Sequence, residues 1–545
     1  MKKNVLLAFS ILLIFSMFMS MLYVAISGKN KSGVVEEIIE NTNVSKNEEQ
    51  ILQTNIVSEP QTLHPGLATD STSGSVLLQT FEGLSRIDLW NQRVNGVAKA
   101  IQISEDQKTY TFTLRDAKWT NGDPVIAKDF EYAWKYVLNP VNQSGNAYQL
   151  YYIEGAREYN EGTGNANEVG VKALDDKTLE VKLNKPTPNF LDLTASYTYF
   201  PINSKIAREY PDWANEASEH YTSNGPFEMT EWNHGENIVL KKNNNYWDAN
   251  IVKLKSIIML MINNPNKNLS MLEKGEIDWT GVTSGQLLLD HEEILGDGLF
   301  YSQTGAGTYS YKFNTMVEPF NNKNIRKAFA LAINRQEIVN KNIEKGQLPA
   351  MAVVPPTLDQ ENQKGYFEDH DLKVAKQFLQ KGLEDLGYKE ASELPPITLT
   401  ITTTERDKNI AQAIQQMWKE YLGIDIKLED SEWTILEEKV KDNNFQVAQM
   451  GWAGELNDPI NLLEIYSDAG WESKEFRSVI KQSKTETDIE KRKKLLRKAE
   501  AVLIEEMPVI PIYFHTIYYI IDGELKDVAR SRLGQVQFKW AYFQY

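Results

Sequence analysis

Apolar positions along the chain change period several times, and each change predicts an element. In YTFTL, Tyr110, Phe112 and Leu114 alternate with threonines, the two-residue period of a half-buried strand. Farther on, VKALDDKTLEVKL sets Asp175 to Lys177 between two alternating segments, which predicts a hairpin. In NNKNIRKAFALAINRQEIV the period lengthens. Ile325, Ala328, Phe329, Ala332 and Ile333 recur at helical spacing, and Asn321 or Asn322 is placed to cap the first turn. The stretch PPITLTITTTERDKNIAQAIQQMWKEYLGIDIKLEDSEW predicts a β-α-β unit. Strands near Ile397 to Ile401 and Ile424 to Leu428 flank a helix whose apolar stripe is Ile410, Ile414, Trp418 and Leu422. FQVAQMGW reads as a further strand, with Asn457, Asp458 and Pro459 marking its exit. An amphipathic helix over roughly Asp488 to Glu506 precedes MPVIPIYFH, a strand in which Pro508 and Pro511 limit the available sheet positions. No internal repeat emerges, so the pattern is mixed α/β rather than a solenoid.

The start of the chain has a different pattern. Lys2 and Lys3 precede an uncharged run from Val5 to Ser27, which fits an export signal or a membrane anchor. Ala25 and Ser27 offer a small-x-small cleavage site before Gly28, while the length of the run favours retention as an anchor. The polar residues 29–50 read as a tether. At 545 residues the chain exceeds what one hydrophobic core usually serves, which predicts at least two lobes around a cleft. A formal net charge of -17 argues against nucleic acid or anionic lipid as the main partner, while leaving room for a local basic pocket. The chain contains no cysteine, so it has neither disulfides nor a lipid-attachment thiol.

Motifs for catalysis are missing. The six histidines are scattered without a close pair, and there is no HExxH, GxGxxG, P-loop or GxSxG pattern. Ser478 and Lys481 match SxxK without a companion KTG. No enzyme, metal or cofactor is expected. One acidic residue stands out: in GWAGELNDP, Glu455 follows a strand end, where α/β proteins tend to place ligand sites. Read locally, it serves chemistry, a ligand's charge or a turn.

AKWTNGDPVIAKDFEYAWKYVLNP, residues 117–140, resembles the N-terminal-lobe block of the solute-binding components of ABC peptide importers. LLQTFEGLSRID, VGVKALDDKTLEVKLNKPTPNF, TSNGPFEM, NNNYWDAN, GTYSYKFNT, LPAMAVVPP and VAQMGWAGELNDP continue the resemblance in family order. It covers the chain from about Ile51 onward and is greatest to the OppA-like oligopeptide-binding proteins. It implies a bilobed, periplasmic-binding-protein-like α/β fold with an additional inserted domain and a ligand cleft between the lobes. The first lobe would combine 51–95, 224–307 and 525–545, the additional domain 96–223, and the second lobe 308–524. Residues 1–28 would be the signal or anchor and 29–50 the tether.

The function so implied is non-enzymatic: binding short peptides outside the cell, as a monomer, and delivering them to an ABC permease. A narrow peptide-signal or other cationic-solute receptor and a non-transport surface structural protein are the alternatives. By resemblance, Glu455 grips the peptide ammonium, where the family commonly has Asp. A charge-assisted bond of this kind contributes roughly 1.5 to 3 kcal/mol. Trp452 and Trp433 match pocket aromatics, although either also reads as core packing. Glu82 matches a pocket carboxylate or a helix end, and Tyr148 a pocket tyrosine. Main-chain groups around Tyr309 to Tyr311 and Ala448 to Trp452, Gly451 included, are expected to pair with the peptide backbone. Enteric members use Arg for the peptide carboxylate where this chain has Gln449, and a second basic position corresponds to Val440, flanked by Lys439 and Lys441. No lipobox cysteine is present.

Overall fold

The computed structural model describes residues 50–282, 300–341, 343, 346–454, 457–467 and 470–544. The expected anchor and all but the last residue of the tether lie outside these. Among the described residues, no helix is long and apolar enough to cross a membrane.

The predicted elements form, with their caps. YTFTL lies in the strand Thr109–Leu114, with Tyr110, Phe112 and Leu114 buried. Val171–Asp175 and Thr178–Lys182 pair antiparallel as the predicted hairpin. Asn322 caps the helix Lys323–Leu331, its side chain accepting from the amides of Asn324 and Ile325. Ile397–Thr402 and Ile426–Ser431 are parallel neighbours joined by the helix Glu405–Leu422. The second of these strands begins two residues later than expected. Gly423, at φ 73°, ends the helix, and the chain extends to Ile426 before pairing starts.

Apolar side chains gather in two main cores. One holds Leu52, Phe81, Trp134, Ile257, Trp279 and Phe538. The other holds Tyr311, Phe329, Leu399, Trp418, Val447 and Ile510. This is a two-lobed α/β fold. A separate four-stranded sheet, ordered Ala98–Ile103, Thr109–Leu114, Thr178–Lys182, Val171–Asp175, makes the inserted subdomain and packs into the first core.

One mixed sheet of eleven strands joins the cores. Phe300–Phe313 and Val509–Ile521 run antiparallel and pass from one core to the other. Their outer halves, 300–304 and 516–520, lead to Trp279–Val282 in the first lobe. Their inner halves lead through Val447–Ala453 to Ile397–Thr402 in the second. Between the halves, the register slips from Thr304 to Thr308 and again between Tyr309 and Ser310. Pro511, which lacks a ladder donor, pairs with Ser310 at the second slip, so a central strand accommodates it.

Candidate functional site

Val447–Ala453 pairs with the first crossing strand over its whole length, but on its other side only Val447 and Ala448 have partners, Leu399 and Thr400. The hydrogen-bond phase decides what the remainder presents. Asn314 N–H donates to Gln446 O at 2.9 Å and Gly454 N–H to Ala306 O at 2.6 Å, so even-numbered residues of this strand face the crossing strand. Gly451 and Ala453 therefore direct N–H and C=O the other way, where no strand pairs with them among the described residues. A methyl group added at Gly451 would touch nothing. Trp452 beside it is part exposed, as is Trp433 at the start of the helix Trp433–Lys441.

Gln449 marks where this open edge begins. Its Oε1 accepts from Thr402 N–H at 2.8 Å, and its Nε2 donates to Asp407 Oδ2 at 3.0 Å. Asp407 also receives the Thr402 hydroxyl and Arg406 Nε, the latter at 3.3 Å. Burial opposes its charge, but these donors hold its carboxyl below the usual range. His515, on the second crossing strand, is pushed down to about 4 by burial and by the Arg406 charge.

Two of the sequence expectations need correction. Tyr309 and Tyr311 lie on a central strand with partners on both sides, Gly451 and Gln449 on one and Tyr513 and Ile510 on the other. Their main chain has no edge left for a ligand. Their side chains are buried, with hydroxyls 3.4 Å apart, and burial raises both phenols. Glu82 is fully buried inside the first lobe. Arg86 Nε and the Tyr246 hydroxyl bind its Oε1 at 2.9 and 2.6 Å, and Trp247 Nε1 binds Oε2 at 2.5 Å. Burial alone would raise its pKa, but Arg86 and Lys539 with these donors hold it low. It anchors the lobe rather than facing a cleft.

Tyr148 is exposed and lines a cavity of about 270 Å³ together with Tyr197, Asp192, Gly454, Asp458 and Arg532. A second cavity of about 540 Å³ is walled by Trp279, Ile517, Tyr519 and Phe538. Arg532 reaches Asn457 Oδ1 at 3.3 Å, and its carbonyl accepts from Ala306 N–H at 2.9 Å. Glu455 lies outside the described residues, while Gly454 and Asn457 line the first of these cavities. Arg406, Asp407, His515 and Arg532 were missed from sequence. For Arg406 and Asp407 the signal was ERD shortly after a predicted strand, at the carboxyl end where ligand sites gather; His515 and Arg532 carried none.

Two α/β lobes, an inserted subdomain and an unpaired strand edge beside the strands that join the lobes are the architecture of a solute-binding protein. Comparison places it more narrowly. Residues 63–474 match the family "bacterial extracellular solute-binding proteins, family 5 Middle", and the chain belongs to that family. It is 51% identical over 505 residues to the oligopeptide-binding protein OppA of Bacillus subtilis, covering 90% of this chain and 92% of that one. It is 39% identical to the dipeptide-binding protein DppE of the same organism, covering 90% and 92%. Among solved structures, the unliganded open form of the murein tripeptide-binding protein MppA gives a TM-score of 0.80 at 28% identity, covering 91% of this chain and 98% of that one. Another structure of MppA, from Escherichia coli, gives 0.69 at the same identity, covering 91% and 99%.

Proposed function

We propose that this protein captures short oligopeptides outside the cell and delivers them to an ABC permease. The observation that carries the reading is the open edge at Gly451 and Ala453. It offers main-chain donors and acceptors without specifying side chains, which suits ligands of many sequences. Family membership and 51% identity to an oligopeptide-binding protein support it. Glu455, just past Ala453, holds the peptide ammonium, and Trp452, Trp433 and Tyr148 line the space for ligand side chains. The first lobe comprises 51–95, 224–307 and 525–545, the inserted domain 96–223 and the second lobe 308–524. Val5 to Ser27 anchor the protein, as a monomer, to the outer face of the membrane.

Native mass spectrometry of the full-length protein, followed by identification of released molecules, tests capture. A population of short peptides is expected on the wild type. With Glu455→Gln, affinity falls about ten- to hundredfold, as loss of one charge-assisted bond implies. A folded wild type that stays empty after challenge with a diverse peptide mixture would refute the reading.

A further inference from the structure

Charged side chains face one another across the gap between the two cores. The cavity of about 270 Å³ beside Tyr148 and a further one of about 540 Å³ are both lined by Asp192, Arg532 and Asp458, and the larger also by Arg492. Asp192 and Arg532 belong to the first core's side, where Phe190, Leu193 and Val536 near them in the chain pack. Asp458 and Arg492 belong to the second, through Ile460 and Leu496. We propose that Asp192 and Arg532 form a charged latch. When the lobes close, Asp192 meets Arg492 and Arg532 meets Asp458, and these two crossed ion pairs hold the closed state.

The second-core half is already built. Arg492 Nη1 and Nη2 donate to Asp458 Oδ2 and Oδ1 at 2.7 and 3.0 Å, and Arg492 Nε donates to Ser483 O at 3.0 Å. Ile460 N–H also donates to Asp458 Oδ1, at 2.9 Å. The fork is thereby fixed, and both partners keep bonding capacity. Each terminal nitrogen of Arg492 has a second N–H that these bonds leave unused, and Asp458 Oδ2 accepts from Arg492 alone among the described residues.

The first-core half is held in place but not yet paired. Arg532 N–H donates to Asn91 Oδ1 at 3.0 Å, and Arg532 O accepts from Ala306 N–H at 2.9 Å, within the slip between the crossing strands. Its part-buried guanidinium donates, among the described residues, to Asn457 Oδ1 at 3.3 Å, the neighbour of Asp458. Burial lowers its pKa, and no carboxylate among the described residues offsets that. Asp192 lies between Phe190 and Leu193, which are buried, and its own side chain is 44% exposed. Its carboxylate accepts no hydrogen bond among the described residues, and its ionic partner, Arg93 Nε, is 3.6 Å away. Burial raises its carboxyl and Arg93 opposes that. Asp458 and Arg492 act on it across the gap, the first against its charge and the second in favour.

Each side of the gap therefore carries one positive and one negative charge. Closure in the register that sets Asp192 against Arg492 and Arg532 against Asp458 is attractive, while the reverse sets like charges together. The latch thus fixes one closed geometry as well as strengthening it.

The chain has no cysteine, so Val141→Cys and Lys376→Cys, exposed on the two sides and outside both cavities, take one spin label each. Double electron–electron resonance on the labelled full-length protein, without and with saturating tetra-alanine, reads the closed population. Calorimetric titration with the same peptide reads affinity. The wild type is expected to move to a shorter distance with peptide. Asp192→Arg combined with Arg532→Asp keeps the net charge and reverses the first-core half. It should lower the closed-to-open ratio and the affinity together by about tenfold, at unchanged Tm. Asp192→Asn and Arg532→Gln should each lower them by about threefold. At about 1 M salt, where the screening length is about 3 Å, the variants converge on the wild type. The same distances in the wild type and the reversed variant overturn the latch. A difference that survives at high salt assigns the effect to shape and overturns it as well. Lower affinity with an unchanged closed population places the two residues on the ligand, which overturns the latch and leaves peptide capture standing.

Discussion

Glu82 and Asp407 are both buried carboxylates ringed by donors, and the groups around them separate their roles. Glu82 is enclosed by Arg86, Lys539, Tyr246 and Trp247 and has no open side. Glu82→Ala strands the Arg86 and Lys539 charges in the core, at a cost of about 3 to 5 kcal/mol. Calorimetry should show a lower Tm while the peptide affinity of the folded fraction is unchanged. An affinity loss without a stability loss would return Glu82 to the ligand site. Because its folded-state pKa is depressed, its contribution is present above the unfolded value near 4.5 and lost as pH falls through the folded value. Glu82→Gln should therefore flatten the acid limb of stability against pH below about 4.5. The FEGL sequence around Glu82 could not reveal this, because Tyr246, Trp247 and Lys539 arrive from distant segments.

At the scale of elements, the strand Val447–Ala453 is half paired and half open, and Gly451 occupies the open half. A Cβ there meets no protein atom within 4 Å, so Gly451→Ala should leave Tm nearly unchanged. The added methyl would stand in the path of a ligand backbone and lower peptide affinity by roughly tenfold. Unchanged affinity in the titration would place the ligand elsewhere. Legibility differed among elements for a physical reason. The helix Glu405–Leu422 was readable because Ile410, Ile414, Trp418 and Leu422 make one buried stripe. Tyr309 and Tyr311 looked equally plausible as an edge or a centre, because strand composition does not record how many neighbours the strand has.

For the whole molecule, Val509–Ile521 gives buried residues to both main cores, Phe300–Phe313 pairs with it, and that pairing slips between Thr304 and Thr308. That irregular stretch is the natural place for the lobes to rotate. Small-angle scattering should show a smaller radius of gyration once peptide is added. An unchanged radius under saturating peptide would mean that the cleft binds without closing.

By itself, the sequence determined the periodic elements, their caps, the mixed α/β class and the family, because each is written in spacing or in ordered local blocks. Only the tertiary structure decided which strand edge stays open and which carboxylate is enclosed. The open edge depends on where Ile397–Thr402 stops beside a strand some fifty residues later in the chain, and the enclosure of Glu82 on Tyr246, Trp247 and Lys539 from distant segments. A strand's hydrogen-bonding neighbours, and the charges they bring, are set by chain segments that its own residues do not encode.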